Sequence, residues 1–262
     1  MTSFDSDVVL EVRNLRLDFP TPLRLGAKKG GPAAASSDPR LTAAGPGKLR
    51  GLDDVSFTAR RGDRIGLIGR NGAGKSTLLR TLAGIYPPSA GICRATGRIS
   101  TLFSSALGLS AEATGYENIH LGATLLGLDR AAIEKALPEI VAFCDLGDFL
   151  DLPIRTYSAG MRTRLGFAIA TSIRPDILLI DEVFGTGDRH FRAKAKQRIE
   201  EVMAKANVLM LASHSDGVIR GMCTKAIWLE QGKLMAFGPV DEVLEQYNQD
   251  PSTDVEASAE AS

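Results

Sequence analysis

The chain has 262 residues, 44% of them hydrophobic, enough to bury one large core or two small ones. Lys and Arg total 31 and so do Asp and Glu, a balance that argues against a dedicated nucleic-acid binder, which carries a basic excess. No apolar run approaches the ~20 residues that cross a bilayer, and the N-terminus lacks the layout of a secretory signal, so a soluble chain is expected, touching a membrane only through a partner. The cysteines (Cys93, Cys144, Cys223) and histidines (His120, His190, His214) are dispersed. That suits a reducing compartment and offers neither a disulfide framework nor a metal cluster.

Residues 8–19 alternate apolar and polar and are predicted to form a strand. A stretch rich in Gly, Pro, Ala and Ser follows and reads as an insertion over about 20–50, with six basic residues and one acidic. It is either a solvated linker or a segment that lies near anionic headgroups, where each basic side chain contributes about 1 kcal/mol. Strand patterns resume in "LDDVSFTAR" and "RIGLIG". Helical patterns follow at about 75–84, 116–127, 130–145, 158–173, 190–206 and 239–247, with short β-rich runs "ILLID" and "NVLMLAS" between the later ones. "AIWLEQGKLMAFG" reads as a hairpin turning at Gln231 and Gly232. Strands alternating with helices predict an α/β fold around a mainly parallel sheet. The region from about 115 to 173 carries helix signals alone and is expected to be an inserted helical subdomain. The acidic tail, 249–262, is expected to be disordered.

"GLIGRNGAGKST" contains GxxxxGK[ST] between an apolar strand and a helix, the context that motif needs. Gly69, Arg70, Asn71, Gly72, Ala73 and Gly74 form a loop whose glycines let successive N–H groups turn toward phosphate oxygens. The following helix offers its positive dipole end to the same anion. Lys75 is expected to reach the outer phosphates of a nucleotide, and Ser76 to ligate Mg²⁺ with Thr77 beside it.

"ILLIDE" ends an apolar strand in two acids. Neighbouring strand residues point to opposite faces, so the two carboxylates can take different tasks. Asp181 suits Mg²⁺, and Glu182 suits polarising a water for attack on a γ-phosphate. His214, just past "LMLA", is placed to donate a hydrogen bond that orients that water.

These pieces, with "YSAGM", "GTGD" and "ASHS", occur in an order that resembles the nucleotide-binding domain of ABC transporters over residues 8–248. The resemblance implies a P-loop NTPase fold of the ABC type with an inserted helical subdomain, binding ATP and Mg²⁺. It makes Tyr157, Ser158, Ala159, Gly160 and Met161 the signature motif, Gly187 and Asp188 the D-loop, His214 the switch histidine, and Phe19 the aromatic that stacks on adenine. One departure stands out. Where the family carries a glutamine after an early strand, this chain has none between Ser76 and Lys196, and Ser104 or Ser105 falls near the position.

"IGLIGRNGAGKSTLLRTLAGIYPPSAG", "EATGYENI" and "DEVFGTGD" are similar to the ATPases that export O-antigen, capsular and teichoic-acid polysaccharides, in the short form without a carbohydrate-binding domain. That resemblance implies a homodimer in which the signature of one chain covers ATP bound by the other. It also implies two permease subunits, a lipid-linked glycan as cargo, and a place on the cytoplasmic face of the bacterial inner membrane. Another exported cargo, or a non-transport ATPase acting on ribosomes or DNA, are the competing readings. Ribosome-acting relatives carry two ATPase domains in one chain and DNA-acting ones long coiled coils, and neither is present here.

Overall fold

A computed structural model describes residues 7–21, 40, 44, 47–103, 108–181 and 189–251. The chain divides into two compact units, one of Met1–Thr96 with Met210–Ser262 and one of Gly97–Leu209. The expected α/β character is present in both. Among the described residues no helix is long and apolar enough to cross a membrane.

In the first unit, β1 (Val8–Pro20) and β2 (Lys48–Arg60) pair antiparallel along their length, and β4 (Ala90–Ala95) pairs antiparallel with β1. They form a separate three-stranded sheet, an arrangement the sequence reading did not include. Apolar residues of β1 and β2, among them Leu10, Leu15, Leu52 and Val55, are buried. The insertion is the connection of the β1–β2 hairpin, closed at its base by the Thr21 N–H to Gly47 carbonyl hydrogen bond at 2.9 Å. The parallel part of the unit holds β3 (Arg64–Ile68) beside β8 (Lys225–Glu230), with β9 (Lys233–Pro239) antiparallel on β8. The run Ile65, Leu67 and Ile68 is buried, as a strand covered on both faces requires. Among the described residues this unit holds the helices α1 (Lys75–Leu82), a short α6 (Asp216–Met222) and α7 (Val240–Gln249).

In the second unit β5 (Ile99–Phe103) and β6 (Ile177–Asp181) pair parallel. Four helices accompany them: α2 (Gly115–Leu125), α3 (Arg130–Cys144), α4 (Ala159–Ala170) and α5 (Arg189–Lys205). Two 3₁₀ turns, Gly147–Asp151 and Ile154–Thr156, lead into α4. The start of α2 is a reciprocal capping box: Glu117 N–H donates to the Thr114 hydroxyl at 3.2 Å, and Thr114 N–H to the Glu117 carboxylate at 2.7 Å. Asp129 caps α3 through Ala132 N–H at 2.8 Å. At the other end of α3, Lys194 of α5 donates to the Ala142 and Phe143 carbonyls at 3.1 and 3.0 Å, satisfying groups that a helix C-terminus leaves open. Ile119, Ile140, Phe143, Leu150, Leu165 and Ile169 form the core between these helices.

The six expected helices start within about two residues of their expected positions and several end earlier, whereas the short α6 (Asp216–Met222) was not expected. β4 escaped the sequence reading because its side chains are mostly exposed and show no alternation. β5 escaped because polar Ser100 and Thr101 interrupt a five-residue strand. The expected tail lies outside the described residues from 252 onward, as does most of the insertion.

Candidate functional site

The phosphate loop is built at the end of β3. Gly69 adopts φ +138, and a Cβ there would lie 2.2 Å from the Leu229 carbonyl oxygen, so no other residue fits. Ala73 N–H closes a turn on the Arg70 carbonyl at 3.0 Å. Gly74, with φ +111, is the N-cap of α1, and Leu78 N–H takes up its carbonyl at 2.8 Å. The first turn of α1 holds no acidic residue, so its dipole is left to attract an anion. Lys75 is 8% exposed and folds back over the loop, donating to the Gly69 carbonyl at 2.5 Å and the Arg70 carbonyl at 3.1 Å. An ammonium at a glycine-rich helix start gains charge-assisted hydrogen bonds from phosphate oxygens.

Two features near this loop were not read from the sequence. The β8–β9 turn props the loop from below: Gly232 N–H donates to the Ala73 carbonyl at 2.8 Å, and the Gly232 carbonyl accepts from Asp53 N–H at 2.8 Å. Gln231 and Gly232 were legible as a turn, but nothing local signals what the turn supports. Arg40, from within the insertion, donates to the Gly72 carbonyl at 3.2 Å. Phe19, near the end of β1, is half-buried against Tyr86, with ring centroids 5.2 Å apart.

His214 lies in the same unit, exposed, two residues past β7 (Val208–Ala212), and Ser215 beside it caps α6 through Val218 N–H at 3.4 Å. Asp181 is the last residue of β6 in the second unit, in register with Phe103 of β5. Asp181 and the Ser76 hydroxyl are hard oxygen donors of the kind Mg²⁺ takes. Glu182, Gly187, Asp188, Ser104 and Ser105 lie outside the described residues.

The signature segment divides by burial. Tyr157 is 3% exposed, and its hydroxyl donates to the Phe149 carbonyl at 2.5 Å, while burial pushes the phenol's pKa up. Ser158, Ala159 and Gly160 are exposed, and Met161 is half-buried against the helical core. Ser158 is the N-cap of α4, accepting from Met161 N–H at 3.2 Å. Arg162 reaches back to the Tyr157 carbonyl at 2.6 Å. As in α1, the first turn of α4 carries no acid. The tyrosine therefore anchors the segment, while the three residues after it present small side chains at an anion-attracting helix start. The approach to this helix is braced by residues 111–114. Ile154 N–H donates to the Ala113 carbonyl at 3.0 Å, and Arg155 N–H to the Ala111 carbonyl at 2.9 Å.

A buried lysine in a glycine-rich loop between a parallel strand and a helix defines a P-loop nucleotide-binding protein. The ABC transporter family profile matches residues 52–185. The chain belongs to that family and is an ATPase of the ABC type. It is 51% identical over 181 residues to the O-antigen export system ATP-binding protein RfbE of Yersinia enterocolitica, covering 69% of this chain and 76% of that one. It is 41% identical over 198 residues to the teichoic acids export ATP-binding protein TagH of Listeria monocytogenes serotype 4b, covering 76% of this chain and 59% of that one. A solved ATP-binding subunit of an ABC transporter matches with a TM-score of 0.67 and 26% identity, over 96% of this chain and 98% of that one.

Proposed function

We propose that the chain is the ATPase subunit of a polysaccharide exporter, working as a homodimer that drives membrane permease subunits to move a lipid-linked glycan across the inner membrane from its cytoplasmic face. The cargo class rests on similarity to the O-antigen and teichoic-acid export subunits. The dimer rests on one observation above all: among the described residues a second helix start suited to phosphate, at Ser158, stands apart from the one at Lys75 and carries no lysine in its first turn.

In this reading Lys75 and the loop N–H groups hold the outer phosphates of ATP, and Phe19 stacks on its base. Mg²⁺ would be held by Ser76 and Asp181 and, when bound, would neutralise charge on the outer phosphates. Glu182 takes the proton of the water that attacks the γ-phosphorus as the bond to the β–γ bridging oxygen breaks. His214 orients that water, and Asp188 with Gly187 joins the two copies. Ser158 and Gly160 of one copy close the open side of the ATP held by the other, which excludes water and adds N–H donors at the developing charge. ATP holds the closed dimer and hydrolysis releases it, and that difference in affinity is what moves the permease.

Glu182→Gln tests the assignment. The variant is expected to bind ATP, lose hydrolysis and elute as an ATP-dependent dimer in size-exclusion chromatography. A variant that stays monomeric and hydrolyses ATP at the parental rate refutes it.

A further inference from the structure

Phe19 sits in a constructed setting. Its ring meets Tyr86 at an interplanar angle of 88°. In a perpendicular pair only one face of one ring is covered, so at least one face of Phe19 is left free by Tyr86. Gly51 lies against the Cδ2–Cε2 edge of the ring, where a Cβ would lie 2.6 Å from Phe19 Cε2 and 3.4 Å from the Thr77 methyl. The absence of a side chain at residue 51 lets the ring settle beside Thr77, in the first turn of the phosphate helix. The segment that carries Tyr86 is fastened to the end of β1. Asp18 N–H donates to the Ser89 hydroxyl at 2.9 Å, and Ser89 N–H donates to the Arg16 carbonyl at 2.8 Å. Arg50 binds both the Asp18 and Asp53 carboxylates, at 2.7 and 2.8 Å, locking β1 to β2 next to the ring.

We infer that Tyr86 is a positioning residue for nucleotide-base binding: with Gly51 leaving room for the ring's edge, it fixes the plane of Phe19 beside the phosphate helix so that a base stacks without first ordering the ring. This rests on the base-stacking role proposed for Phe19. Tyr86 acts through the ring of Phe19. Its contribution is confined to ligands that carry a base. Because every base has a π-face, stacking separates nucleotides from bare polyphosphates better than one base from another.

The test is calorimetric titration of the full chain with ATP and with inorganic tripolyphosphate, which fills the phosphate loop without a base. Tyr86→Ala is expected to weaken ATP about 3- to 10-fold, the range of one aromatic pair, and to leave tripolyphosphate affinity unchanged. Tyr86→Phe restores ATP binding, since the ring contact does not need the hydroxyl. Gly51→Ala reproduces the ATP-selective loss by displacing Phe19. A Tyr86→Ala protein that loses neither ligand, or both equally, overturns the inference while Phe19→Ala still shows an ATP-selective loss. If Phe19→Ala shows none, the base-stacking role itself falls, and the role of Tyr86 with it.

Discussion

Asn118 connects the stability of the helical unit to the presentation of the signature segment. Its side chain is 1% exposed and holds the turn before α2 at four points. Ser110 N–H donates to its Oδ1 at 2.8 Å, and its Nδ2 donates to the Ser110, Ala113 and Thr114 carbonyls at 3.1, 3.1 and 2.8 Å. Two N–H bonds shared among three carbonyls count as two donors, so the side chain is worth three hydrogen bonds. At about 1 kcal/mol each, Asn118→Ala is expected to cost about 3 kcal/mol, with more if Ser110 N–H finds no water. For a chain of this size that lowers Tm by about 6–12 °C, readable by circular dichroism. The functional consequence follows from the pairing of the same turn with the approach to α4. Residues 111 and 113 accept hydrogen bonds from Arg155 and Ile154, just ahead of Ser158. ATP-dependent dimerisation should weaken beyond what unfolding explains, measured well below the melting transition, while single-chain ATP affinity holds. An unchanged Tm refutes the hydrogen-bond argument, and an unchanged dimer constant refutes the link to the signature.

Lys75→Ala removes two buried ammonium contacts that phosphate oxygens would take over, so ATP affinity is expected to fall at least about 100-fold by fluorescent-nucleotide titration. Arg40→Ala, which removes the hydrogen bond to the Gly72 carbonyl at the rim of the loop, should cost on the order of threefold, and equal losses in the two variants would contradict the geometry. Burial pushes the Cys223 thiol from 9.0 up to about 12 and also raises Cys144. Both should resist iodoacetamide in the native chain at pH 8, with Cys93, which is only half-buried, labelled first in a mass-spectrometric time course. Because the raised value favours the protonated thiol in the folded state, its contribution to stability is complete below pH 9.0. It is lost as pH rises toward about 12. Cys223→Ala should therefore flatten the alkaline decline in Tm, and an unchanged slope would show that Cys223 does not cause it.

What was legible in the sequence is what depends on neighbours in the chain. The phosphate loop could be read because glycine spacing, lysine and helix start occupy one short stretch. The α4 start could be read because Ser158 caps its own helix. The supports could not be read in the same way, because they are tertiary. Gly69 is forced to be glycine by the carbonyl of Leu229, and Ala73 is held by Gly232, both from a hairpin far along the chain. Gly51 looks like an ordinary strand residue until the edge of the Phe19 ring is found in the space a Cβ would take. Other supports do carry a local signal: Thr114 and Glu117, within "EATGYENI", have the spacing of the capping box they form. The same division holds for Tyr157. Its neighbours in the motif are exposed, and its own burial follows from packing against Phe149 and Gly115, which no spacing rule encodes. A motif names the atoms that meet a ligand. Whether those atoms stay in position depends on residues such as Tyr86, Asn118 and Gly232, and substitutions there should impair the enzyme while leaving every recognisable motif intact.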